Sequence, residues 1–281
     1  MTPIGLGVGP VLGGLLHSYL GYGAVFLVAS SLNWIGFLSL LSLKESLHQS
    51  SPRPTSKQMV RPKGWLNTLG NSRTLLWQPR LKIMALVMLS AGGVFGTLST
   101  FMPLYVDQLG INFNPGFYYL FAAIASFTMR LVTGSLAEKL GKGRFVTLSL
   151  VCYCLSMVLL WMGQDPLIFI LSGLVEGCAG GLLIPVISSI VADRSQANER
   201  GQVFGVCLGG FDVGIALAGP VFGTLVQYIG LQQVFLGASI IAISAMVIFI
   251  CYGNHSLKRS VGFALGQEAD YYSLPIVKEA S

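Results

Sequence analysis

Three ionisable residues interrupt stretches that are otherwise apolar: Arg130, Glu176 and Asp212. A charge inside a membrane helix is costly, and such residues face a cavity or a partner. Loss of water favours the protonated form of a carboxylate, so Glu176 and Asp212 are candidates for substrate contact or for carrying a proton. Glu176 has Gly177, Gly180 and Gly181 beside it, which leave room, and this predicts that it opens on a cavity. Asp212 follows Arg200 by twelve residues, about 18 Å at the helical rise, near the mid-depth of a bilayer. Contact with substrate or proton and a packing or gating role both fit it. Arg130 precedes Glu138 by eight residues. It is expected to be a structural charge, paired with a carboxylate at the nearby helix ends.

No other chemistry competes with these three. HExxH, GxSxG and Walker sequences are absent, and no His/Asp or Cys/His pair falls at useful spacing. The five cysteines lie in apolar runs without zinc spacing and read as small buried hydrophobes. The three histidines are scattered. The chain is therefore not expected to be an enzyme, to hold a metal or to need a cofactor.

The elements that position the ionisable residues follow from hydropathy. Of 281 residues 53% are hydrophobic and only 10% charged, against about 25% in soluble domains; mean hydropathy is +0.70. A spanning helix needs about 20 mainly apolar residues. Eight segments qualify, at 3–19, 22–43, 81–106, 115–137, 144–162, 166–192, 201–228 and 231–252. The fold class is all-α and polytopic, with the lipid bilayer as partner.

All 17 Lys and Arg residues except Arg130 lie in or beside 44–80, 138–143, 193–200 and the tail; the alternate turns hold none. An excess of Lys and Arg marks cytoplasmic loops, so these connections and the C-terminus are expected to be cytoplasmic. The net charge of +6 then reflects topology, and no nucleic-acid partner is implied. Four regions follow: 1–43 with two helices, 44–80 as a central cytoplasmic loop, 81–253 with six helices, and 254–281 as a cytoplasmic tail. The loop starts with Ser- and Pro-rich sequence, and its stretch 65–77 suits either a basic interfacial helix or a linker. The tail, of mixed charge, is expected to be mobile. Asn254-His255-Ser256 has the glycosylation pattern, which a cytoplasmic side excludes. No Lys or Arg occurs before Lys44, so no signal peptide is read; the chain opens within an apolar helix.

Glycine and proline gather in two places. Gly5, Gly9 and Gly13 are spaced by four, as are Gly205 with Gly209 and Gly210 with Gly214, a spacing that lets helix backbones approach. Pro10 and Pro220 each remove a helix hydrogen bond and invite a bend. The two places are related: Gly9-Pro10-Val11-Leu12-Gly13 matches Gly219-Pro220-Val221-Phe222-Gly223 at an offset of about 210, and Val25-Phe26-Leu27 matches Val234-Phe235-Leu236. A two-helix unit therefore occurs at both ends of the chain. Between them Gly134, Glu138, Lys139, Gly141, Lys142 and Arg144 form a helix end, a tight turn and a second helix start, with Gly141 permitting the turn. Glu138 can face the bases or a helix N-terminus.

On these residues the chain resembles the major facilitator superfamily of transporters. Gly134–Arg144 is similar to the signature of that family's short cytoplasmic loops. Gly5–Gly14, ending Gly9-Pro10-x-x-Gly13-Gly14, resembles the antiporter motif of helix five in its efflux branches. Arg200–Gly223, with Gly205, Asp212, Gly214, Gly219, Pro220 and Gly223, resembles helix eleven of sugar-efflux-like members. Glu138 stands where the family has Asp, and Gly143 separates Lys142 from Arg144 where the family has adjacent bases. The resemblance implies two six-helix halves related by an axis along the membrane normal. The eight segments then correspond to helices five to twelve, and a segment carrying helices one to four is expected to be missing. The implied function is secondary transport of a small molecule by alternating access, as proton-coupled efflux. Protons are the implied coupling ion; cationic substrates gain slightly from two carboxylates against one arginine. The rival expectation is a truncated, transport-incompetent membrane protein, or a subunit needing a separate N-terminal half.

Overall fold

The structure is a computed structural model that describes residues 2–42, 78–196 and 199–273. Eight helices occur there: α1 (Thr2–Ser42), α2 (Pro79–Leu109), α3 (Pro115–Leu140), α4 (Lys142–Met162), α5 (Pro166–Asp193), α6 (Arg200–Ile229), α7 (Leu231–Tyr252) and α8 (Leu257–Ala264). No strand is present among the described residues. Proline begins α2, α3 and α5, where its missing N–H costs nothing, and Asn114 caps α3 by accepting from the Gly116 N–H at 2.8 Å. The boundaries follow the apolar runs read from sequence.

Among the described residues seven stretches are long and apolar enough to cross a membrane, with Tyr19–Ser39 the first. The expected span at 3–19 includes side chains outside the described residues, so this count does not bear on it. The expected turn near residue 21 is a break inside α1, where Gly21 has φ 77°, a conformation that glycine tolerates without steric cost. Helical geometry continues through Pro10 and Pro220, each of which lies inside its helix. Most of 44–80, including the proposed interfacial helix, lies outside the described residues, as do the surroundings of Gly5.

Helices α2–α7 run up and down, and two parallel pairs form the centre. Along α5, Gly173, Gly177 and Gly181 lie against the carbonyls of Tyr118, Ala122 and Ser126 of α3. Both series step by four, so the helices share one seam, and a Cβ at Gly177 would collide with the Ala122 carbonyl. The second pair is α2 with α6: Gly92 meets Phe211, Gly96 meets Ile215, and Gly214 meets Leu89 and Gly93. Small residues supply this contact because lipid offers apolar side chains no incentive to associate. Helix α7 packs on α2 and α4, α4 also packs on α5, and α1 touches only α3 among the described helices.

The short turns meet at one end of the bundle. There Tyr105, Phe169 and Phe235 form a ring cluster, with Tyr105 and Phe235 centroids 5.4 Å apart. The Tyr105 hydroxyl donates to the Gly163 carbonyl at 3.1 Å.

The opposite end carries the bases and is tied by charge. Arg194, fully buried, grips Asp270 through Nε at 2.6 Å and Nη2 at 2.9 Å. Its Nη1 donates to the Arg80 carbonyl and its Nη2 also to that of Gly253. Arg80 in turn donates to the Arg194 carbonyl and pairs with Glu199 at 2.9 Å. Lys142 pairs with Asp193. The ends of α2, α5 and α6 are thereby joined to the tail.

This corrects the expectation of a mobile tail: residues 253–273 are folded onto the bundle. Asn254 is the hub, buried, its Nδ2 donating to the Ala269 carbonyl and its Oδ1 accepting from the Tyr271 N–H. Those bonds remove Asn254 from any glycosylation argument. Phe263 of α8 is buried against Phe249.

Candidate functional site

The matched steps of α3 and α5 determine what faces what. Gly177 lies level with Ala122, so Glu176, one residue earlier, turns off the seam into the space shared with α2, α4 and α6. A cavity of about 260 Å³ occupies that space, lined by Phe95, Tyr119, Tyr153, Phe211, Arg130 and Glu176, with small residues between them. Glu176 is 6% exposed, and its carboxylate makes no ion pair or hydrogen bond among the described residues. Gly180 keeps the approach open: a Cβ there would stand 3.4 Å from the Tyr153 hydroxyl and 4.0 Å from Glu176 Oε1. Phe95 and Phe211, with centroids 5.8 Å apart, close the side formed by α2 and α6.

Arg130 differs from expectation. It lines the same cavity as Glu176, and among the described residues it has no carboxylate partner at the helix ends. The reason is register. Ser126 lies against Gly181, which places Arg130 a further turn along α3. Glu176 and Arg130 are then separated by roughly nine residues of axial rise, about 13 Å, too far for an ion pair. The Arg130 Nε is buried and has no hydrogen-bond partner among the described residues. A buried donor left unpaired costs about 1–3 kcal/mol. The cavity thus has an acid at one level, an aromatic middle and an arginine at another level.

Asp212 lies outside this cavity. It is exposed, on the face of α6 turned away from α2, although its neighbour Phe211 lines the cavity. That face carries glycines: among the described residues a Cβ at Gly205, Gly209, Gly219 or Gly223 would meet nothing within 4 Å. Of the glycines expected to pack helices, Gly214 does so against α2, and Gly14 faces Asn114, whose Oδ1 would stand 2.8 Å from a Cβ at that position. Gly9, Gly13, Gly205, Gly219 and Gly223 instead lie open, and Pro220 is exposed beside them. The packing glycines Gly92, Gly96, Gly173, Gly177 and Gly181 carry no family-like motif; their spacing by four was the available signal.

The loop 134–144 performs a different task from the cavity. Gly141 has φ 92°, and Gly266 of the tail, φ 74°, presses on it: a Cβ on Gly141 would stand 2.8 Å from the Gly266 Cα. Gly143 meets the Phe263 carbonyl, and Thr147 Oγ1 donates to the Ala264 carbonyl at 3.0 Å. Lys142 reaches Asp193, whereas Gly134, Glu138, Lys139 and Arg144 are exposed. Among the described residues Glu138 forms no ion pair. The turn is the seat of the tail helix, a role that its sequence does not announce.

Long apolar helices, glycine seams and described bases confined, apart from Arg130, to one end define a polytopic membrane protein. The model of the Major Facilitator Superfamily matches residues 1–162 and 122–269, and the chain belongs to that family. Among curated proteins it is similar to the multidrug resistance protein MdtG of Salmonella arizonae, 31% identical over 187 residues, which is 63% of this chain and 43% of the relative. It is also similar to an uncharacterised MFS-type transporter of Salmonella typhimurium, 28% identical over 182 residues, 64% of this chain and 45% of that protein. The chain spans about half the length of these relatives.

Proposed function

We propose that the chain forms the C-terminal half, with adjoining helices, of a machine that moves a small amphipathic molecule out across a bacterial inner membrane. Residues 1–43 are then the last helices of the first half, 44–80 the central loop and 81–253 the second half, with the basic end cytoplasmic. The observation that carries this reading is Glu176, buried without a partner among the described residues in the wall of an aromatic cavity that Arg130 also lines. Rings of Phe95, Tyr119, Tyr153 and Phe211 suit flat or cationic ligands, and the carboxylate orients a positive group or takes up a proton. Only one of the two expected acids lies in the cavity, so the charge preference rests on Glu176 against Arg130. Asp212 belongs, in this reading, to a wetted wall facing the other half.

Outward direction is supported by relatives named for multidrug resistance and by the likeness of Gly9–Gly14 to an antiporter motif. The test uses ethidium as the probe, added outside inverted vesicles from cells making the protein, with an inside-acid proton gradient imposed. Gradient-driven ethidium movement that Glu176→Gln abolishes is expected. Equal movement in the variant and the parent would remove Glu176 from the coupling.

A further inference from the structure

We infer that α8 is an interfacial foot: its outer side lies in the headgroup layer of the bilayer and engages anionic lipid. Three sides of this short helix have different neighbours. Ser260, Phe263 and Ala264 are buried against the bundle. Leu257, Val261 and Leu265, four residues apart, form an adjacent stripe that is 61%, 36% and 53% exposed. Lys258 and Arg259 are exposed beyond it.

The position of the stripe identifies its occupant. Helix α8 packs under the ends of α7 and α4, whose outer faces expose Ile240, Ile243 and Val247, and Leu148, Val151 and Leu155. Those exposed apolar faces belong to spanning helices, and α8 with its exposed apolar stripe sits at the basic end of the same helices. An amphipathic helix lying in the interface buries its apolar side at the acyl boundary and attracts anionic lipid through its bases. The exposed charges around α8 agree in sign: Lys139, Arg144, Lys258 and Arg259 against Glu138 and Glu268. Asp270 is already taken by Arg194. The helix cannot swing away to leave the stripe in water, because the Gly141–Gly266 contact and the Asn254 bonds hold it.

The test is independent of transport and of which membrane face is involved. A nitroxide is placed on Val261→Cys and, as a solvent reference, on Gln267→Cys, in the whole chain in phosphatidylglycerol-rich bilayers. Oxygen should relax the label at 261 more than a water-soluble nickel chelate does, with the order reversed at 267. A label at 261 that meets the nickel chelate as freely as the one at 267 overturns the assignment; shielding from both reagents assigns the stripe to a protein partner and overturns it equally. A second measurement titrates the purified chain with phosphatidylglycerol and counts bound lipids by native mass spectrometry. K258Q/R259Q should weaken that binding about thirty-fold and leave phosphatidylcholine binding as it was. Unchanged phosphatidylglycerol binding contradicts the role of the two bases.

Discussion

The pair of Arg194 and Asp270 allows a sharp test of how the tail is held. Replacing Asp270 by Asn keeps the shape, and its one oxygen can still accept from Arg194 Nη2 and the Tyr272 N–H, but the charge is lost and an NH2 donor replaces the oxygen that accepts from Arg194 Nε. Arg194 is fully buried and Asp270 is 11% exposed, so solvent screens the pair little. Breaking such a pair by removing one partner costs about 3–5 kcal/mol. The lower end applies, because Arg194 retains the carbonyls of Arg80 and Gly253. The loss falls on docking of residues 253–273, not on the bundle, whose seams do not involve Asp270. Hydrogen exchange at the amides of Tyr271 and Tyr272 should therefore quicken by about two decades, one for each 1.36 kcal/mol, while exchange in α5 stays as it was. A double variant with Arg194→Gln should recover part of the loss, since the orphaned charge is gone. Exchange in D270N within a few-fold of the parent would refute the reasoning.

Other expectations follow from the same geometry. Gly177→Ala should destabilise the bundle by about 1–3 kcal/mol through collision with the Ala122 carbonyl, whereas Gly205→Ala, which meets nothing, should leave Tm unchanged. Gly141→Ala combines positive φ with the Gly266 contact, so it should loosen α8 and speed its amide exchange without lowering the Tm of the bundle by a comparable amount. Asp212→Cys should react with membrane-impermeant maleimide if its face of α6 is wetted; protection from the reagent would place that face against lipid or protein.

Much of the bundle was legible because hydropathy and charge act over single segments. A run of apolar residues announces a span wherever it packs, and bases collected in alternate connections announce which helix ends lie together. Glu176 was legible for a related reason: an acid in an apolar run with glycines beside it needs a cavity. What sequence concealed depends on register between distant segments. Arg130 reads as a helix-end charge until the seam of Gly177 on Ala122 shows where along α5 it falls. Asp212 reads by depth as a second acid for substrate or proton, and only the rotation of α6, set by Gly210 and Gly214 against α2, turns it away from the cavity. Arg194 and Asp270 are far apart in the chain, and a tail of mixed charge carries no local mark of the pocket that receives it. The loop 134–144 shows its turn through Gly141, but its contact with Gly266 is a property of two backbones meeting.

The central claim is that Glu176 meets a ligand in the cavity, and chemical modification tests it most directly. Dicyclohexylcarbodiimide attacks protonated carboxyls in apolar surroundings, and peptide mapping identifies the residue modified. The account predicts modification at Glu176 that saturating ethidium suppresses, with the exposed Glu138 unaffected by the ligand. Modification of Glu176 at the same rate with and without ethidium would contradict it.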